Sequence, residues 1–359
     1  METLLRSIRA RHIPKLDALR AVSAVLVMLY HFGLPVPAGF GVMCFFVISG
    51  FLITKLLLDE HEQTGRVSLR GFYLRRAFRI FPAFYVYWLL ATVWLVFRGR
   101  IIWGQAASSF FYVCNYYQGL HHYPSSAYSR TWSLAVEEQF YLVWPWLFCR
   151  LAGRRGALLK LLAGLIGSIW LLRIVLVAVS VPEEYLYTAF ECRADAIFVG
   201  CALAIALRNG AGARLWTALC ASPARMLPTV ALLAAAVAGE RFLGTNFRDA
   251  GGNIVEPLLF ACLIVQLLGT PCRMLDWLDS RPVRFLGTIS YSTYLYHGLV
   301  ALPAALPAAA NILPSYAVAT LSYLGVERPL LRLRDRLRWG GAKAAAAATG
   351  ASGREIGRS

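Results

Sequence analysis

The feature that most constrains this chain is a series of apolar stretches, each approaching the about 20 residues a helix needs to cross a bilayer. They fall at 18–36, 39–58, 80–97, 132–149, 160–180, 188–207, 226–239, 254–271, 285–304 and 308–326. Backbone in lipid must satisfy its polar groups internally, so such stretches specify helices. A chain built mostly of them reads as an all-α, polytopic membrane helix bundle of about ten transmembrane helices. A further apolar segment, 101–117, suits a re-entrant or interfacial position. Composition excludes an ordinary soluble domain: 58% of the 359 residues are hydrophobic and 15% charged, against about 45–50% and about 25% in soluble proteins.

The net charge of +17 would suggest nucleic acid in a soluble protein. In a membrane protein, basic residues first report topology. With the N-terminus placed in the cytoplasm and the stretches alternating, the great majority of the 36 basic residues fall on the cytoplasmic side; Arg98, Arg100, Arg130, Arg241 and Arg248 fall outside. Both termini are therefore expected in the cytoplasm, with membrane lipids and not nucleic acid as surroundings. Arg20 and His31 interrupt the first apolar run, so it reads as an uncleaved helix rather than a secretory signal. The expected organisation is a basic N-terminus (1–15), a membrane domain (16–330) and a basic, disordered tail (331–359). Eight single cysteines without CxxC spacing suit small packing residues, and nothing completes a metal ligand set around His121 and His122. No metal and no bound cofactor are expected.

An ionisable side chain in a bilayer costs on the order of 3 kcal/mol, which makes each one a functional candidate. Arg20 and His31 are eleven residues apart. Eleven steps of 100° leave them about 20° from eclipsed and roughly 16 Å apart along one helix face. A guanidinium there can clamp phosphate and an imidazole can take a hydroxyl proton; a snorkelling arginine and a packed core histidine would leave the same trace. In the run Trp132-Ser133-Leu134-Ala135-Val136-Glu137-Glu138-Gln139-Phe140-Tyr141, two adjacent glutamates point 100° apart, so at most one readily faces the bundle. If that one is Glu138, it reaches the level of His31 and can orient the imidazole; both can instead face water at a helix N-terminus. Arg76 and Arg79 share a helical face within the arginine-rich segment that also holds Arg75, as a polyanion such as the diphosphate of coenzyme A requires. Glu191, Arg193 and Asp195 cluster in the sixth stretch, where Arg173 offers an ion-pair partner, and His297 sits among aromatics in the ninth as a brace or a substrate contact.

Several segments together resemble the membrane acyltransferase 3 family, which includes O-antigen and exopolysaccharide O-acetyltransferases. They are Leu16-Asp17-Ala18-Leu19-Arg20 with His31, Gly41-Val42 with Phe45 through Ile53, Arg75-Arg76 with Arg79-Ile80 and Pro82, and Trp132 through Tyr141. Arg193 to Gly200, Ile289 through His297 and Glu327-Arg328-Pro329 complete the set, in the family's order and over nearly the whole chain. The resemblance implies His31 as the catalytic histidine, with Arg20 its essential partner on the same helix and the arginines of the third-helix entry serving an acyl-CoA donor; Glu138 falls in the family's signature. The expected catalytic residues are then His31, as base or as transient carrier of the acyl group, and Glu138, with Arg20, Arg75, Arg76 and Arg79 binding the donor and Asp17, Ser49, Glu137, Arg193, Asp195 and His297 structural or substrate-contacting. Many relatives carry an extra hydrolase-like domain, and this chain resembles the stand-alone type.

The expected function is O-acylation, most simply acetylation, of a hydroxyl on a cell-surface glycan or glycolipid precursor. Acyl-CoA would be the co-substrate and the bacterial inner membrane the location. A small secondary metabolite such as a macrolide is the alternative acceptor. A polysaccharide or lipid transporter is the alternative of another class, and the missing internal repeat counts against it.

Overall fold

The computed structural model describes residues 2–10, 12–300 and 308–335. Ten principal helices appear, one on each apolar stretch: α1 (Pro14–His31), α2 (Ala38–Thr64), α3 (Leu69–Phe97), α4 (Trp132–Leu151), α5 (Arg155–Ala178), α6 (Phe190–Asn209), α7 (Met226–Leu243), α8 (Asn253–Gly269), α9 (Ser290–Val300) and α10 (Ala308–Ser322). No strand occurs among the described residues. Five helical stretches of the described residues are long and apolar enough to cross a membrane: Ala38–Thr64, Leu69–Phe97, Arg155–Ala178, Pro223–Leu243 and Arg248–Gly269. The chain is a membrane protein. Helices α1, α4 and α6 are 18 to 20 residues long, but ionisable residues dilute their apolar character.

The segment 101–117 folds as two short helices, Trp103–Phe110 and Cys114–Leu120. Neither approaches membrane-spanning length, because seven or eight residues rise only about 12 Å. Between them Tyr112 takes a left-handed backbone conformation (φ 54°). Helix also occupies Glu2–Arg9 and 328–335, so the first five residues of the expected disordered tail are helical; residues 336–359 lie outside the described residues.

Helix α2 is central. Its Phe46, Val47, Phe51 and Leu58 belong to one contiguous buried cluster with Phe140 and Trp144 of α4 and Ile197 and Leu203 of α6. The closest approach is between α2 and α6, at Gly50 and Gly200. A β-carbon at Gly50 would run into the Ile197 carbonyl oxygen, and one at Gly200 into that of Val47. Each helix thus rests on the other's backbone, the small-residue packing that substitutes for a hydrophobic drive between helices in lipid. Gly50→Ala is expected to push the two helices apart and to cost about 3 kcal/mol, the upper end of ordinary overpacking. Thermal unfolding in detergent reads this out, and a melting curve superimposable on the parent's would contradict the packing described.

At one end of the bundle an ionic network fixes how the helices meet. Asp59 of α2 pairs with Lys55 (2.6 Å) and with Arg208 of α6. Glu62 pairs with Arg208 and with Arg155 of α5, both at 2.7 Å, and Glu60 pairs with Arg75 of α3, also at 2.7 Å. These pairs are largely covered rather than exposed, and by joining α2 to α3, α5 and α6 they fix the register of the four helices.

Candidate functional site

Two cavities adjoin α1, one holding Arg20 and the other holding His31. The arginine cavity, about 100 Å³, is lined by Arg20 of α1, Ser49 of α2, Arg76 and Arg79 of α3, Glu137 and Tyr141 of α4, and Tyr291 and Tyr294 of α9. Arg76 and Arg79 reach it together because three residues on a helix share a face. The Arg76 guanidinium lies over the Tyr141 ring, 5.2 Å from its centroid. The Tyr141 hydroxyl donates to Glu137 Oε2 (3.4 Å) and accepts from Ser49. None of the guanidinium groups of Arg20, Arg76 and Arg79 hydrogen-bonds to a described residue. Three arginines with their donor forks unspent, around one small cavity, are suited to an anion with several oxygens. Glu327 lies within electrostatic range of Arg20 and Arg79 and accepts a hydrogen bond from Ser292; it ends a π-helical turn, Tyr323–Glu327.

The histidine cavity is larger, about 780 Å³, and is lined by His31, Arg130, Trp132, Tyr187, Arg193, Glu240, Arg248 and Glu256 among others. His31 is the last residue of α1. Its Nδ1 lies 2.8 Å from the Val27 carbonyl oxygen and 3.1 Å from Nε2 of His297. His297 in turn presents Nδ1 to the Thr293 carbonyl oxygen at 3.1 Å. A carbonyl can only accept, so each ring carries its proton on Nδ1 when neutral. His31 Nδ1–H is then shared between Val27 and His297, and His31 Nε2 keeps its lone pair. That is the tautomer a general base requires.

Arg130 lies within electrostatic range of both histidines and its Nε is buried without a hydrogen-bond partner among the described residues. Gly298 makes room for it, since a β-carbon there would strike the guanidinium. A cation beside a base is placed to stabilise an oxyanion formed there.

Several expectations are corrected by this geometry. Glu138 does not orient His31: the histidine's partners are Val27 and His297, and Glu138 lies in range of Glu137 and Arg76. Of the two glutamates it is Glu137 that lines the arginine cavity, the 100° between neighbours having turned Glu138 away. Arg75 is likewise turned from Arg76 and is held by Glu60 outside the arginine cavity. Asp17 lines neither cavity; it pairs with His12 at 3.0 Å and packs its backbone against Gly287. Asp195 forms a buried ion pair with Arg173 (3.0 Å), accepts from Trp170 (2.9 Å) and serves structure. Arg193 faces the histidine cavity, donating to Asn253 Oδ1 (2.6 Å) under the Tyr187 ring. Ser49 is in the arginine cavity as noted, and His297 is more than a brace because it bonds His31. Sequence reasoning did not single out Arg130 or Tyr294. The available signal was Arg130's position on the side otherwise poor in basic residues.

A family model described as an acyltransferase domain matches residues 13–326. The chain is similar to the peptidoglycan O-acetyltransferase OatA of Listeria monocytogenes, at 29% identity over 89% of this chain and 56% of the relative. Its similarity to the putative peptidoglycan O-acetyltransferase YrhL of Bacillus subtilis is 29% identity over 89% and 55%. For the O-acetyltransferase OatA of Staphylococcus aureus the figures are 28%, 80% and 50%. The chain thus spans about half the length of the curated relatives it matches. No solved structure matches.

Proposed function

We propose a function from the premise that the chain belongs to the acyltransferase domain family, enzymes that transfer acyl groups. It acts as an O-acetyltransferase of the bacterial inner membrane, taking acetyl from cytosolic acetyl-CoA and placing it on a sugar hydroxyl of a cell-surface glycan. The ten principal helices would cross the membrane with both termini in the cytoplasm, in keeping with the sidedness of the basic residues. The observation that carries this reading is the division of one helix between two cavities, with Arg20 in one and His31 in the other. A cytosolic donor and an external acceptor need such a site. Arg20, Arg76 and Arg79 would hold the donor's phosphates, the acceptor would enter the larger cavity, and lipids would surround the apolar faces.

In the transfer, the acceptor hydroxyl oxygen attacks the thioester carbonyl carbon while His31 Nε2 takes the hydroxyl proton. The oxyanion forms beside Arg130. Collapse breaks the carbon–sulfur bond, and the departing thiolate takes the proton from His31, which returns to its neutral state. The relatives' names make peptidoglycan fragments the first acceptors to test, followed by other surface polysaccharides. The protein in nanodiscs, given acetyl-labelled acetyl-CoA and such an acceptor, is expected to form a labelled, base-labile ester on the glycan. Intact acetyl-CoA with every acceptor, alongside movement of whole glycan units across vesicles, would replace this reading by transport.

A further inference from the structure

The two cavities meet at only two residues among those described: Val42 of α2 and Tyr294 of α9 line both. We propose that Tyr294 and Val42 form the aperture between the donor's cavity and His31, and that the Tyr294 ring sets the size of the acyl group that passes. The inference rests on the acyl-transfer reading above and adds its specificity determinant.

Tyr294 is held from three sides. Its hydroxyl donates to the Arg130 carbonyl oxygen at 3.0 Å. With its one proton so used, it accepts from the Ser133 hydroxyl at 2.5 Å. The ring meets Phe45 edge-on, with centroids 6.1 Å apart. Arg130 and Ser133 flank the junction of the turn Ala127–Thr131 with α4, so the phenol ties α9 to the start of α4. Tyr294 also lies one turn before His297, 6.1 Å from it ring to ring. The aperture is thus built on the helix that carries the partner of His31. Arg20, Arg76 and Arg79 line one cavity and His31 and Arg130 the other, and Tyr294 with Val42 is the lining the two share among the described residues, which sets this ring between a thioester held by the arginines and the histidine. Both residues line the anion cavity without supplying it a charge, and neither is the base, so their effect should appear in which acyl group is used.

The test compares acetyl-CoA with butyryl-CoA on the protein in nanodiscs, with one glycan acceptor. Tyr294→Ala is expected to raise the butyryl-to-acetyl ratio of kcat/KM by at least about tenfold, the discrimination a hydrophobic wall commonly supplies per methylene. Tyr294→Phe, which keeps the ring, should leave that ratio within about twofold, and Val42→Phe should lower it. An unchanged ratio in a folded, active Tyr294→Ala variant overturns the proposal, as does a Tyr294→Phe ratio that moves as far as the alanine's. Should Tyr294→Ala fail to fold, Val42→Ala widens the same opening from the facing helix and must raise the ratio. Should it fold without activity, proton leak through proteoliposomes decides: faster leak than the parent supports the aperture and equal leak overturns it. Failure of the underlying reading is recognised separately, as a parent protein that transfers no acyl group from either donor.

Discussion

His31→Ala is expected to lower kcat for acyl transfer by about 10³-fold, within the 10²–10⁴ range of general base removal, with the variant still inserted and folded. The geometry makes the separation of effects plain. His31 is the last residue of α1, and the hydrogen bond it shares between Val27 and His297 is worth about 1 kcal/mol. Its loss therefore costs chemistry far more than stability. His297 acts through His31, so His297→Ala should be milder, about 10–100-fold, and should fall on kcat with little change in KM for the donor. Ester formed on the glycan, followed by mass spectrometry, measures both. A His31→Ala protein retaining activity within tenfold of the parent would remove His31 from the reaction.

The second large effect concerns the donor. The guanidinium groups of Arg76 and Arg79 make no hydrogen bond to a described residue. Bonds they form to phosphate are therefore gained on binding, at about 1.5–3 kcal/mol for each charged bond. Arg76→Ala and Arg79→Ala should each raise KM for acetyl-CoA by about 10–100-fold, and lysine at either place should restore only part, since it keeps the charge without the planar fork. Arg75→Ala serves as the internal control. Its side chain is committed to Glu60 at 2.7 Å, and the change should alter KM by less than about threefold. A steady-state titration with acetyl-CoA checks all three, and equal losses from Arg75 and Arg76 would dissolve the distinction between them.

How far the sequence can be read shows in these same residues. The ten apolar stretches each hold a principal helix, because hydrophobic length is a local signal. That Arg20 and His31 lie on one helix, α1, was equally legible, since both fall within one apolar stretch. Choices between neighbours were not: Glu137 against Glu138 and Arg75 against Arg76 depend on the rotation of α4 and α3 about their axes, which packing against other helices decides. Contacts between distant segments left no trace at all. His297 meets His31 across 266 positions, and Gly50 and Gly200 are small for each other's sake without sharing a motif. Arg130 was hidden for a different reason, because counting charges by side treats every loop arginine as a marker of topology.

The 266 positions between His31 and His297 also bear on how the protein is made. Chains of this kind are synthesised from the N-terminus at about 5–20 residues per second. Helix α1 must therefore wait, with its arginine and histidine already placed, for tens of seconds or less until α9 emerges to supply the second imidazole and the Tyr294 partition. Until then neither cavity is closed by its own walls. A nascent chain halted before α9 carries the expected base and the expected anion-binding arginines, yet has no tautomer control and no barrier between them, so the proposed catalytic unit comes into being only once α9 has been made.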